Sequence, residues 1–299
     1  MNLIENSFLQ DLIDKPQKIS KLKFDKIAEI LEMAKVILEN ENLLLEFNIN
    51  EDVVYVIGDI HGNLETLLQL IKIINENNPR LIIFLGDIVD RGPKQLECFL
   101  IVLALKILFP QKYYILRGNH ETIEMNQYYG FFHEFISRFN NHNKFNTVLT
   151  IYNVLPLCAL INEIILCLHG GIPQDFNILN TLKGLKCKNF KVILNSISQT
   201  IYQIMWNDPK SELQGFSDSF RGPGIKFFGN EAFEKFMNHN RLTYLIRAHE
   251  CFPEGYRWFF NKKLLSIFTS ANYRGYFSPN PASYAIVKNN KIIPKLLKL

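Results

Sequence analysis

Two hydrophobic periods divide the chain. Up to about Asn50, apolar residues such as Ile27, Ile30, Leu31, Ala34, Ile37 and Leu38 recur at helical spacing, until the polar patch Glu39-Asn-Glu-Asn42 interrupts them. From Val53 onward, short β-branched and aromatic runs alternate with longer amphipathic segments, the pattern of strands joined by helices. Runs at 53–57, 81–85, 113–116, 164–168, 242–246 and 264–269 read as strands. The longest apolar stretch, Cys98 to Phe109, is too short to cross a bilayer and carries Lys106, so a buried helix is expected there. With no repeat, low-complexity tract or Pro/Gly linker, the simplest organisation is a helical extension over residues 1–50 followed by one α/β domain over 51–299.

Composition narrows this picture. A 299-residue chain with 47% hydrophobic and 21% charged residues can bury a large core and is far from the disordered class. A net charge of +4 without a basic stripe argues against a nucleic-acid or membrane-surface partner. The first twenty residues lack the apolar run and small-residue ending of a secretory signal. Cys98, Cys158, Cys167, Cys187 and Cys251 form no C-x-x-C pair and sit mostly in apolar runs, as inert thiols do. A reducing, cytoplasmic setting is expected.

Each strand-like run ends in polar chemistry. The sequence reads GDIHGN at 58–63, GDIVDRG at 86–92, RGNHE at 117–121, HGG at 169–171, RAHE at 247–250 and SANYRG at 270–275. A rigid strand fixes the backbone and the loop beyond it aims side chains into a crevice, so these loops are expected to converge. Their donors are Asp, His and Asn, a set that suits Mn²⁺, Fe or Zn²⁺ rather than thiolate-bound metals. A metal pair needs a shared ligand, and a carboxylate has two oxygens; Asp87, in the middle of the series, is the candidate. A single histidine after a strand is usually a turn residue, but His61, His120, His169 and His249 all share this placement. His133, His142 and His239 do not, and read as surface or packing residues.

These motifs, in this order, closely resemble those of the PPP family of serine/threonine protein phosphatases, over roughly Val53 to Ser278. Ser219-Phe-Arg-Gly-Pro-Gly224 and the helical N-terminus resemble its archaeal branch. The resemblance implies a metallophosphoesterase (calcineurin-like) fold, a central β-sandwich of two mixed sheets flanked by helices. It implies hydrolysis of phosphoserine or phosphothreonine by in-line attack of a hydroxide shared between two divalent metal ions. Asp59 and His61 would hold one ion, with Asp87 bridging to a second completed by Asn119, His169 and His249. Arg91 and Arg221 would clamp the phosphate and Tyr273 would border it. His120, oriented by Asp90, would protonate the leaving alkoxide, and Asp208 would lie in the acidic part of the groove. The residue types suit these tasks. A planar guanidinium gives paired bonds to phosphate, and a serine alkoxide needs a proton as it leaves, which a carboxylate-held imidazolium supplies near pH 7.

The chain also departs from the family pattern. Where many eukaryotic relatives read S-A-P-N-Y-C-G-E-F, it reads Ser270-Ala-Asn-Tyr-Arg-Gly-Tyr-Phe277, with no proline, Arg274 for cysteine and Tyr276 for glutamate. Inhibitor sensitivity therefore does not carry over. Phosphoproteins are the expected substrates, and no regulatory-subunit signature is recognisable. Two alternatives compete: a symmetrical dinucleoside tetraphosphatase or other small-molecule metallophosphoesterase, and a catalytically silent scaffold. The R-G-N-H-E ending argues against the first, and the filled ligand and acid positions argue against the second.

Overall fold

Both faces of the central β-branched runs are buried, so these strands lie inside the molecule, between other layers. The computed structural model describes residues 4–49, 51–275 and 277–298, apart from the side chains of residues 191 and 193. Tyr276 lies outside the described residues. In chain order the strands are β1 (Leu44–Phe47), β2 (Val54–Ile57), β3 (Leu81–Phe84), β4 (Tyr113–Ile115), β5 (Cys158–Ile161), β6 (Ile165–Leu168) and β7 (Asp208–Pro209). They continue with β8 (Phe216–Asp218), β9 (Lys226–Phe228), β10 (Tyr244–Arg247), β11 (Tyr256–Phe259), β12 (Leu264–Ile267), β13 (Ser283–Lys288) and β14 (Lys291–Leu296).

Two mixed sheets form the expected sandwich. One has the order β14-β13-β2-β3-β4, the other β1-β5-β6-β10-β12-β11. Strands β2, β3 and β4 are parallel, as are β6, β10 and β12, so each sheet sends three chain ends toward one edge of the sandwich. Alternation sorts the side chains. Val54, Val56, Ile83, Ala159, Cys167, Ile246, Leu265, Ile267 and Ala285 fill the space between the sheets. Tyr55, Ile57, Ile82, Phe84, Leu166, Leu168, Leu245 and Leu264 face outward into a second core shared with the helices.

The helices cover the outer faces. They are α1 (Asn6–Asp14), α2 (Phe24–Leu38), α3 (Leu64–Asn77), α4 (Gln95–Leu108), α5 (Ile123–Tyr129), α6 (Phe131–Phe139), α7 (Asn146–Tyr152), α8 (Ile178–Leu182), α9 (Phe190–Trp206) and α10 (Asn230–His239). Helix α3 starts directly after GDIHGN, because the Asn63 side chain accepts the Thr66 N–H at 3.1 Å and caps it. Helix α4 is the buried helix expected from the apolar stretch: every residue from Gln95 to Lys106 is buried, with α1, α2, α3 and α6 packed around it. Among the described residues no helix is long and apolar enough to cross a membrane.

Two features differ from the sequence reading. Residues 44–47, within the stretch read as helical, form β1 and pair in parallel with β5; Leu44 and Leu45 are buried on the two sides of that sheet edge. A third sheet, β7-β9-β8, lies outside the sandwich, with strands of two or three residues, too short for a period to register.

Candidate metal and phosphate site

Left-handed backbone marks the site before any side chain is considered. His61, Asp87, Asp90, Arg91 and His249 have φ values of 47°, 53°, 68°, 71° and 70°, a region that side-chain-bearing residues seldom occupy. The loops after β2, β3 and β10 turn this sharply and bring their side chains back over the sandwich edge. Gly86 and Gly118 let the loops after β3 and β4 approach closely. A Cβ on Gly86, at φ 105°, would lie 2.3 Å from the Gly118 nitrogen, and a Cβ on Gly118 would lie 2.2 Å from Asp87 Oδ1.

Glu121 locks those loops together. Its buried carboxylate accepts the N–H groups of Asp87 (2.9 Å), Ile88 (3.0 Å) and Gly118 (2.8 Å), tying the turn after β3 to the turn after β4. Asp87 Oδ1 in turn accepts the His120 N–H at 2.9 Å. With Oδ1 so engaged, Asp87 Oδ2 is left facing three imidazoles: it lies 3.4 Å from His169 Nε2, 3.6 Å from His61 Nε2 and 4.0 Å from His120 Nε2.

The structure brings all six candidate ligands together. Asp59 Oδ2 is 3.6 Å from His61 Nε2, while Asp59 Oδ1 accepts the His249 N–H at 3.0 Å. Asn119 Oδ1 lies 2.8 Å from His169 Nε2, and His249 Nδ1 lies 3.1 Å from the same nitrogen. The Nδ1 atoms of His61 and His169 face the carbonyls of Val89 (2.9 Å) and Leu85 (3.0 Å). A carbonyl only accepts, so each Nδ1 carries a proton and each Nε2 is the nitrogen turned toward the cluster, the orientation that metal-binding imidazoles adopt.

Charge and satisfaction both favour a cation here. Asp59 Oδ2 and His249 Nε2 are buried without a hydrogen-bond partner. Burial opposes charge on His61, yet the Asp59 and Asp87 carboxylates outweigh it and raise its pKa to about 9. Ligand atoms of His61, Asp87 and His120 lie within 4.8 Å of one another, as do those of Asp87, His169 and His249. Asp87 belongs to both groups. The donors thus fit divalent cations.

Beside this cluster His120 Nδ1 meets Asp90 Oδ2 at 2.7 Å. Asp90 is held from three further directions. Phe131 N–H donates to Oδ1 (3.0 Å), Asn126 Nδ2 donates to Oδ2 (2.9 Å), and the Asp90 N–H donates to Gln95 Oε1 (2.9 Å). Asn126 also donates to the His120 carbonyl and accepts from the Tyr152 hydroxyl, each within 2.9 Å. Sequence reasoning missed Asn126 because it lies inside α5, outside every strand-end motif.

The phosphate-side residues flank the cluster. Arg91 is exposed and its guanidinium lies 3.5 Å over the Tyr129 ring, which aims it. Tyr273 stacks on His61 with ring centroids 5.0 Å apart and planes 20° from parallel. His61, Asn63, Arg91, Ser270 and Tyr273 line a pocket of about 410 Å³. A larger one of about 700 Å³ lies at the other ends of β2, β3 and β4 and contains none of these residues. The altered loop after β12 is braced by Asn280, whose side chain donates to the Ser270 carbonyl (2.8 Å) and accepts the Arg274 N–H (3.2 Å).

Asp208, expected in the acidic part of the groove, is paired with two arginines. It is 1% exposed, and its carboxylate accepts from Arg247 Nη2 at 2.8 Å on one side and from Arg221 Nε on the other. Arg247, fully buried, also donates to the Gly170 carbonyl, the Asn207 carbonyl and Glu250. It joins the loops after β6 and β10 to β7, and through Asp208 it fixes the base of Arg221. The first letter of RAHE was the signal for it. Tyr128-Tyr-Gly-Phe-Phe132, read as groove or packing, divides: Tyr128 is exposed, Tyr129 supports Arg91, and Phe131 is buried in the core. His133, His142 and His239 are exposed and away from the cluster.

Comparison with known proteins agrees with this geometry. Residues 53–253 match the family model described as calcineurin-like phosphoesterase. The chain is 31% identical over 265 residues to a protein phosphatase 2A catalytic subunit of Dictyostelium discoideum, covering 89% of this chain and 82% of that protein. A solved protein serine/threonine phosphatase from Saccharomyces cerevisiae superposes with a TM-score of 0.84 at 25% identity, over 99% of this chain and 96% of that one. A cold-active protein-tyrosine phosphatase from a psychrophilic Shewanella shares the fold, with a TM-score of 0.61 at 16% identity over 88% of this chain and 84% of that one. A family model spanning the loops after β2, β3, β4, β6 and β10, together with a curated relative aligned over most of both chains, makes this chain a member of the calcineurin-like phosphoesterase family.

Proposed function

We propose that the protein is a metal-dependent protein serine/threonine phosphatase, with residues 51–299 as its catalytic unit and residues 1–50 as an addition whose α1 and α2 pack on α4 and whose β1 joins the edge of the second sheet. The observation that carries this reading is the position of Asp87 Oδ2 between His61 on one side and His169 on the other, 3.6 and 3.4 Å away. Family membership and two serine/threonine phosphatase relatives support the substrate class.

In this reading Asp59, His61 and Asp87 hold one divalent ion, and Asp87, Asn119, His169 and His249 hold a second. Such ions supply Lewis-acid charge to the phosphoryl group and acidify water toward neutral pH. The chain supplies the rest. Arg91, propped by Tyr129, and Arg221, anchored by Asp208, grip the equatorial phosphate oxygens. Tyr273 closes the phosphate pocket against His61. His120 carries a proton on Nδ1 toward Asp90 and presents Nε2 to the substrate; its Nε2 proton passes to the serine or threonine oxygen as the P–O bond breaks. The contact with Asp90 keeps the imidazole aimed for that step. Manganese is the metal we expect to activate the protein in vitro, with iron and zinc as the other candidates for these donors.

The test is a comparison of kcat/KM for phosphoserine and phosphothreonine peptides, a phosphotyrosine peptide and a dinucleoside tetraphosphate, with protein loaded with Mn²⁺. The phosphoserine and phosphothreonine peptides are expected to be preferred. Preference for the nucleotide would overturn the reading.

A further inference from the structure

Arg117 opens the RGNHE loop yet takes no part in the site above. Its side chain lies against α9, beneath the Phe190 ring. The residue is 9% exposed, and among the described residues its Nε and Nη1 atoms are buried with no hydrogen-bond acceptor. Only Nη2 has a partner, the Glu121 carbonyl at 3.2 Å. The Glu121 carboxylate is already taken by the three backbone N–H groups that lock the metal-site loops. Among the described residues no carboxylate forms an ion pair with Arg117. An arginine side chain stays protonated in proteins, so the guanidinium keeps its charge. The Glu121 and Glu124 carboxylates favour this charge without touching it, and buried donors left without an acceptor are costly and rare in native structures.

A cavity adjoins this cation. Arg117 lines a pocket of about 430 Å³, walled on its apolar side by Phe190, Leu194, Ile201 and Met205. Asn195 and Ser198 contribute polar groups to the same pocket. The Phe190 ring lies 4.8 Å from the guanidinium carbon and covers its face. Helix α9, which forms the roof, breaks regular geometry at Ile197, where φ is −128° and ψ 21°. The pocket shares no lining residue with the one beside His61 and Tyr273.

We infer that this pocket is a second ligand site, which takes a small carboxylate with a short apolar body. The carboxylate supplies the acceptor that the guanidinium lacks, in a charge-assisted bond that strengthens away from water. The apolar body fits between Phe190, Leu194 and Met205, and the volume falls within the range of small-molecule sites. Occupancy would fix the first residue of the loop that carries Asn119 and His120, from a position outside the phosphate pocket.

Calorimetric titration of the full-length, Mn²⁺-loaded protein with hexanoate, hexanamide and acetate tests this. Hexanoate is expected to bind saturably, with hexanamide at least roughly tenfold weaker because it lacks the charge, and acetate similarly weak because it lacks the apolar body. Leu194→Trp fills the cavity from α9 and leaves Arg117 in place; it is expected to retain phosphatase activity and lose hexanoate binding. Arg117→Met, similar in length but uncharged, is expected to lose the preference for hexanoate over hexanamide. If hexanoate bound Leu194→Trp as tightly as the parent, it would be occupying the metal site, and the inference would fall. Equal binding of hexanoate and hexanamide, or no saturable binding of either, would overturn it as well.

Discussion

Asp87 concentrates the chemistry of the site in four heavy atoms. One oxygen is committed to the His120 N–H and the other faces the imidazoles of His61 and His169. Asp87→Asn keeps the shape but replaces a shareable anionic oxygen with a neutral amide. Metal analysis after Mn²⁺ loading is expected to fall from about two ions per chain to below one, with turnover reduced at least ~10³-fold. His120→Asn should behave differently, because its side chain acts on the leaving group. We expect metal content to be unchanged and kcat on phosphoserine peptides to drop ~10²–10⁴-fold, with a much smaller loss on aryl phosphates, whose leaving groups need no proton. Equal losses on both substrates would remove His120 from the role of acid. At this scale the sequence was most informative, because the candidate ligands sit at fixed offsets after strands and each offset is local. What it hid was non-local. Asn126 reaches Asp90 only because α5 folds back across the loop, and Arg247 meets Asp208 only because the last residue of β10 lies against the first residue of β7.

Among the elements, α4 shows how a charge survives in an apolar helix. Lys106 has no exposed side chain; its ammonium donates to the Glu41 carboxylate and to the Pro110 carbonyl at 2.7 Å, and lies 4.2 Å over the Tyr114 ring. Burial raises the Glu41 pKa and lowers that of Lys106, so desolvation presses each partner toward its neutral form despite their attraction. This pair joins the segment before β1 to α4. Lys106→Ala should therefore destabilise by about 3–5 kcal/mol in denaturant titration, since it strands a buried carboxylate. The double variant Lys106→Met, Glu41→Leu should recover most of that loss. A cost below about 1 kcal/mol for the single variant would place the pair in solvent-like surroundings. The helical period that marked α2 and the apolar stretch that marked α4 were both readable. Strand β1 was not, because its four residues become a strand only by pairing with β5, more than a hundred residues away.

For the molecule as a whole, the two sheets make a rigid base and the ligand-bearing loops cluster along one edge of it. Metal binding should then stabilise the folded state by mass action, since the ligands come together only there. At a free Mn²⁺ concentration near one hundred times the dissociation constant, we expect about 2.7 kcal/mol of added stability, visible as a rise in Tm that a chelator reverses. Asp87→Asn should show little or no such rise. The alternation of strands and helices was legible in the apolar runs and the sandwich followed from the family resemblance, while the three-stranded sheet β7-β9-β8 was not legible, its strands being shorter than any period.

The left-handed turns at Asp87, Asp90 and Arg91 have an evolutionary consequence. Each would rest more comfortably as glycine, so natural selection for catalysis and artificial selection for heat resistance pull these positions apart. A library screened only for survival at high temperature should enrich glycine at position 91, giving survivors that melt later and turn over phosphopeptides poorly. Recovery of arginine there under that screen alone would mean that its stacking on Tyr129 outweighs the torsional penalty.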